Sequence, residues 1–77
     1  MYVIQFVGQR RPNGYDNMSI IRYYSENIPG CFHVVDDLHD ARFFDTREEC
    51  QELLDGNMSF LLMYTNAHHI EIREVVI

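Results

Sequence analysis

Four histidines and two cysteines (His33, His39, His68, His69, Cys31 and Cys50) are the residues of this 77-residue chain that could hold a transition metal. Zinc takes imidazole and thiolate ligands in tetrahedral sets. The spacing assembles no such set. There is no C-x-x-C, Cys31 and His33 share one strand face but supply only two ligands, and His68-His69 is a dipeptide at a loop tip. Nucleophilic catalysis lacks its parts as well. Ser19, Ser25 and Ser59 lie outside any G-x-S-x-G context, Cys31 has His33 near it but no third group to orient the pair, and no Gly-rich phosphate loop occurs. Asp36, Asp37 and Asp40 could form an acid/base pair or a divalent-ion site, but such a cluster is ordinarily a solvated loop. A domain this small also has little room for a deep pocket. The expectation is a protein that is not an enzyme and carries no metal and no cofactor.

The chemistry the chain does have in quantity is charge. Eight of its twelve acids (Asp36, Asp37, Asp40, Asp45, Glu48, Glu49, Glu52 and Asp55) fall between positions 36 and 55 against only Arg42 and Arg47, so the net charge of -6 sits in one segment. A field of one sign steers association with a partner of the other sign. Asp36, Asp37, Asp40, Asp45, Glu48, Glu52 and Asp55 are therefore the expected contact residues for a protein with a basic surface, with a solvated helix face as the plain alternative. The competing reading is a nucleic-acid-binding surface of Arg10, Arg11, Tyr15, Arg22 and Tyr24 in the first hairpin, because aromatic and guanidinium groups stack on bases. The net charge opposes it, since phosphate neutralisation drives most nucleic-acid affinity. Direct nucleic-acid binding is the weaker expectation.

These residues must be held by a single domain, 1–77. A chain this short hides only roughly 60% of the surface its unfolded form exposes, so its stability should be marginal. With 47% hydrophobic residues, five Phe and five Tyr, it nevertheless has material for a core. Two cysteines and an opening stretch unlike a signal peptide fit a reduced, cytoplasmic protein. The longest apolar run, Phe60 to Tyr64, is far too short to span a membrane.

Residues 2–7 are β-branched and aromatic and read as a central strand. Pro12, Asn13 and Gly14 mark a turn, residues 18–25 a second strand that completes a hairpin, Asn27 to Gly30 another turn, and residues 31–35 a third strand. Thr46 followed by Glu49 is a capping box that starts a helix over 47–55, which Gly56 ends. Cys50, Leu53 and Leu54 form its apolar stripe, and Glu48, Glu52 and Asp55 its acidic one. Residues 59–65 and 70–76 then read as two further strands. The expected fold is α+β: a mostly antiparallel sheet of about five strands (β-β-β-α-β-β) with one helix packed on one face. One short helix cannot cover such a sheet, so a face bearing Tyr23, Met63 and Tyr64 should be open to a second copy, and a homodimer is expected.

The run Ala41-Arg42-Phe43-Phe44-Asp45-Thr46-Arg47-Glu48-Glu49-Cys50 resembles an A-x-x-F-x-T/S-x-E-E-A pattern of small uncharacterised proteins of bacteriophages and other mobile elements. It matches at Ala41, Phe44, Thr46, Glu48 and Glu49, and the first strand resembles theirs at Tyr2-Val3-Ile4. Cys50 departs from the usual alanine. The resemblance implies a phage-encoded α/β accessory protein, a group that includes inhibitors of host defence such as anti-CRISPR proteins. Joined to the charge argument, it gives the expectation of a protein that blocks a basic surface of a host nucleic-acid-binding or defence protein.

Overall fold

The computed structural model describes residues 1–26 and 31–76, and the turn expected at 27–30 lies outside them. Four strands, β1 (Tyr2–Gln9), β2 (Asn17–Glu26), β3 (Phe32–Val35) and β4 (His69–Glu74), form one antiparallel sheet in the order β3-β2-β1-β4. The first strand is central, as its two-sided hydrophobicity predicts, and is buried from Val3 through Gly8. Its alternating side chains feed two cores. Ile4 and Phe6 join Tyr24, Phe44, Cys50, Leu54, Leu61 and Ala67 on one face, while Val3 joins Tyr23, Ala41 and Val75 on the other. The β1–β2 turn forms at the expected residues: the Gly14 N–H donates to the Arg11 carbonyl at 3.1 Å, with Pro12 and Asn13 between them and Gly14 at φ +81°.

Beyond Gln5↔Tyr23 the pairing of β1 with β2 ends. The segment from Arg42 to Phe44 takes over, with Arg42 N–H donating to the Tyr24 carbonyl and Phe44 exchanging both backbone bonds with Tyr2. This lets the chain change faces. A 3₁₀ turn (Leu38–Asp40) lays Leu38 on the Val3/Tyr23 core, and six residues later Phe44 lies in the Ile4/Phe6 core. Tyr23, expected on an open face, is therefore buried beneath Leu38 and Phe43.

Helix α1 (Arg47–Leu54) begins where the capping box places it. Thr46 Oγ1 accepts from Glu49 N–H at 3.2 Å, and Gly56 at φ +81° supplies the left-handed exit. Cys50 and Leu54 are buried and Leu53 half-buried, so the apolar stripe faces the sheet as expected.

The expected strand over 59–65 is instead a second helix, α2 (Met58–Thr65), so the α+β class and the antiparallel sheet hold, with four strands and two helices among the described residues where about five strands and one helix are expected. Its sequence, Met-Ser-Phe-Leu-Leu-Met-Tyr-Thr, is apolar nearly all round, and an apolar run without alternation carries no period to separate strand from helix. Tertiary partners decide. Asn57 Nδ2 donates to the Leu53 carbonyl, Leu61 enters the core, and Asn66 ends the helix at φ +54°. The last-turn carbonyls of α2 are taken by cations from other elements, Leu62 by Arg10 at 3.3 Å and Thr65 by Arg22 at 2.5 Å, in the position where a helix dipole favours positive charge. No helix among the described residues is long and apolar enough to cross a membrane.

Candidate interaction surface

The acids of positions 36–55 do not form one row. Asp36, Asp37 and Asp40 flank the 3₁₀ turn on the Val3/Tyr23 side, where Asp37 Oδ1 accepts the His39 N–H at 2.9 Å. Asp45, Glu48, Glu52 and Asp55 belong to α1 and its ends, on the Ile4/Phe6 side. All seven are exposed. None forms an ion pair among the described residues, where the pairs are Arg42–Glu26, His68–Asp16 and His69–Glu71. In the α1 group, Asp55 Oδ1 accepts from Gln51 Nε2 at 3.0 Å. Glu74 adds to this charge. Its interaction with the Tyr2 hydroxyl, then its charge, then burial and the more distant Glu48 hold that hydroxyl above its ordinary pKa. Glu74 was not anticipated, because only the sheet brings β4 beside the start of α1.

Beside the acidic helix lies an apolar one. Phe60 is 57%, Tyr64 63% and Met63 78% exposed, on a helix that carries no charged residue. Their rings continue into β3: Phe32 stands 4.8 Å from Tyr64 and 6.4 Å from Phe60 between centroids, and Phe60 stands 5.9 Å from Tyr64. Edge-on and tilted rings at these separations attract. The cluster borders a cleft of about 390 Å³ lined by Tyr24, Phe32, Arg42, Leu53, Asn57 and Phe60, among others. At its polar end Glu26 accepts from both Arg42 and the Tyr24 hydroxyl, the latter at 3.0 Å, and Arg42 lies 4.5 Å over the Phe44 ring. Burial, then the bond to Glu26, pushes the Tyr24 hydroxyl up to about 12. The sequence signal for this surface is the five-residue apolar run Phe60 to Tyr64, within the segment where a strand is expected.

Among the described residues the cleft brings no nucleophile together with a base. Ser25 donates its hydroxyl to the Asp40 carbonyl at 2.7 Å, and Cys50 is fully buried with its thiol pushed up by burial and by Glu49. Both cysteines are free, and no group of three metal-ligating side chains occurs among the described residues.

The five residues of the nucleic-acid reading are distributed differently. Arg11 and Tyr15 are exposed at the hairpin turn, and Arg10 is held there by backbone and side-chain bonds to Asn66 and Leu62. Arg22 points under α2 and is half-buried, with its Nε unpartnered. Tyr24 is 6% exposed and belongs to the core. The two groups meant to stack with the turn residues are thus turned toward the helices.

Comparison of the chain with protein-family models, with curated proteins and with solved structures gives no match.

Proposed function

We propose that this chain is a non-catalytic interaction module that binds a host protein across the α1–α2 side of its fold, inhibiting a nucleic-acid-binding or defence factor by occupying its basic surface. The observation that carries this reading is the pairing of two unlike surfaces. Phe60, Met63 and Tyr64 offer a charge-free aromatic anchor, and the unpaired Asp45, Glu48, Glu52 and Asp55 offer the field that brings a basic partner to it. Buried aromatic anchors supply most of an interface's affinity, and surrounding charges set its rate and its salt dependence. Asp36, Asp37 and Asp40 lie on the other side of the sheet and contribute to the field without belonging to the same contact area.

The test is capture from a bacterial host lysate with the wild type and three variants, the captured protein being identified and then purified for kinetics. Phe60→Ser with Met63→Ser and Tyr64→Ser should abolish capture. Glu48→Gln with Glu52→Gln and Asp55→Asn should leave the fold intact but slow association and flatten its salt dependence. A partner that both variants hold unchanged, and that is lost on changing Arg10 and Arg11, would place the interface on the first hairpin and end this reading.

A further inference from the structure

β4 is an edge strand, and among the described residues nothing bonds to its outer side. The direction of its backbone groups follows from one printed pair. Met1 and Val75 exchange N–H and carbonyl bonds at 3.3 and 2.8 Å, and the register runs unbroken from Tyr2↔Glu74 to Val7↔His69. In an antiparallel ladder bonded and non-bonded pairs alternate, so Arg73, Glu71 and His69 bond inward to β1. Ile70, Ile72 and Glu74 point their N–H and carbonyl groups outward. The opposite side of β1 agrees, because there Tyr2 bonds to Phe44.

We infer that this open edge pairs with the same edge of a second copy, antiparallel and centred on Ile72, joining two four-stranded sheets into one. The charge pattern selects this register. Centred on Ile72, the outward groups of Ile72 meet those of Ile72 in the second copy, and Ile70 meets Glu74 in both directions, which makes about six backbone bonds. Glu71 then faces Arg73 of the second copy, and Arg73 faces Glu71, at the non-bonded positions where side chains stand closest. Shifting the centre to Glu71 leaves about four backbone bonds and sets Glu71 against Glu71. Glu71 and Arg73 share one face of β4. There the buried Gln5 of β1 donates to Glu71 Oε1 at 3.1 Å and accepts from Arg73 Nη1 at 3.3 Å, so both side chains lean inward over β1 and turn outward to meet the second copy. An uncharged edge would not discriminate among strands, and a uniformly charged one would repel its own copy. This one is complementary to itself. The inference goes beyond the proposed function, because self-pairing uses β4 rather than the α1–α2 side and is measured without the partner.

The experiment is light scattering on the purified full chain. The wild type should show twice the monomer mass of 9.2 kDa. Glu71→Arg alone sets Arg against Arg, and Arg73→Glu alone sets Glu against Glu, so each should weaken self-association by at least about tenfold and elute as monomer. Mixing the two single variants should restore the double mass, because each then meets its complement, and the double swap should restore it in one chain. Circular dichroism monitors the fold of each. Should loss of the Gln5 contacts unfold a single variant, Glu74→Pro removes an outward donor without touching the backbone bonds to β1, at the cost of the exposed Glu74 side chain beside Tyr2, and it should give a folded monomer. Wild-type monomer at every accessible concentration overturns the inference. So does a dimer that survives both single charge reversals and Glu74→Pro, or one that dissociates only with the Phe60, Met63 and Tyr64 serine variant.

Discussion

Leu61 and Met63 are two residues apart, and in a strand they would share a face and a burial. In α2 they do not: Leu61 is 3% exposed and packs in the Ile4/Phe6 core, whereas Met63 is 78% exposed. Truncating each to alanine therefore separates the two conformations. Leu61→Ala removes a fully packed side chain and leaves a cavity, which costs about 2–5 kcal/mol. Met63→Ala removes atoms that already touch water and replaces one good helix former by another, for a change within about 0.5 kcal/mol. A chain of 77 residues has a total stability of roughly 4–12 kcal/mol, so the first change consumes a large part of it and the second hardly any. Urea unfolding followed by circular dichroism reads both. With a slope of roughly 1 kcal/mol per molar for so small a protein, Leu61→Ala should move the midpoint down by about 2 M or more, or leave the chain unfolded, and Met63→Ala should leave the midpoint in place. Equal shifts for the two variants would refute the helix and with it the aromatic surface built on it.

The remaining expectations concern the backbone, the buried phenol and the thiols. Gly8 sits at a register shift between β1 and β2 with φ +76°, and an added Cβ would meet Met18 Sδ at 3.0 Å and His68 Cβ at 3.1 Å. Gly8→Ala should cost about 1–3 kcal/mol, more than Gly14→Ala, where nothing lies within 4 Å and only the positive φ opposes the side chain, and urea midpoints rank the two. Folding raises the Tyr24 hydroxyl from 10.0 to about 12, so its contribution to stability is complete below pH 10 and is lost as pH rises through the interval between those values. Urea midpoints at about pH 9 and about pH 11 should differ, and Tyr24→Phe should make the decline shallower, with the raised Cys50 thiol and Tyr2 hydroxyl contributing to what remains. A native thiol titration should modify the exposed Cys31 at once and the buried Cys50 only after unfolding. Two equivalents reacting together would contradict the packing of α1.

Some of this molecule is written locally. The β-branched start of β1, the Pro12-Asn13-Gly14 turn and the Thr46-to-Gly56 helix each depend on groups within a few residues of one another: a hydroxyl reaching an amide three positions on, a ring presetting φ, a glycine accepting a left-handed φ. Those elements stand where the sequence predicts them, and so does the apolar side of α1. What could not be read from neighbours is what distant groups impose. The run from Met58 to Thr65 is apolar in every direction, so its helix rests on Arg10 and Arg22 from the first hairpin, which take the Leu62 and Thr65 carbonyls, and on a core with room for Leu61. The same contacts turn Arg22 away from the surface where its sequence position suggested stacking. The acids from Asp36 to Asp55 are contiguous in the chain, but the passage of Arg42 to Phe44 past the ends of β1 and β2 carries them to two sides of the sheet. Local spacing determined which residues are charged, capped or turned. Only tertiary packing decided which of them share a surface, because that depends on hydrogen-bond partners and core volume contributed from the far end of the chain.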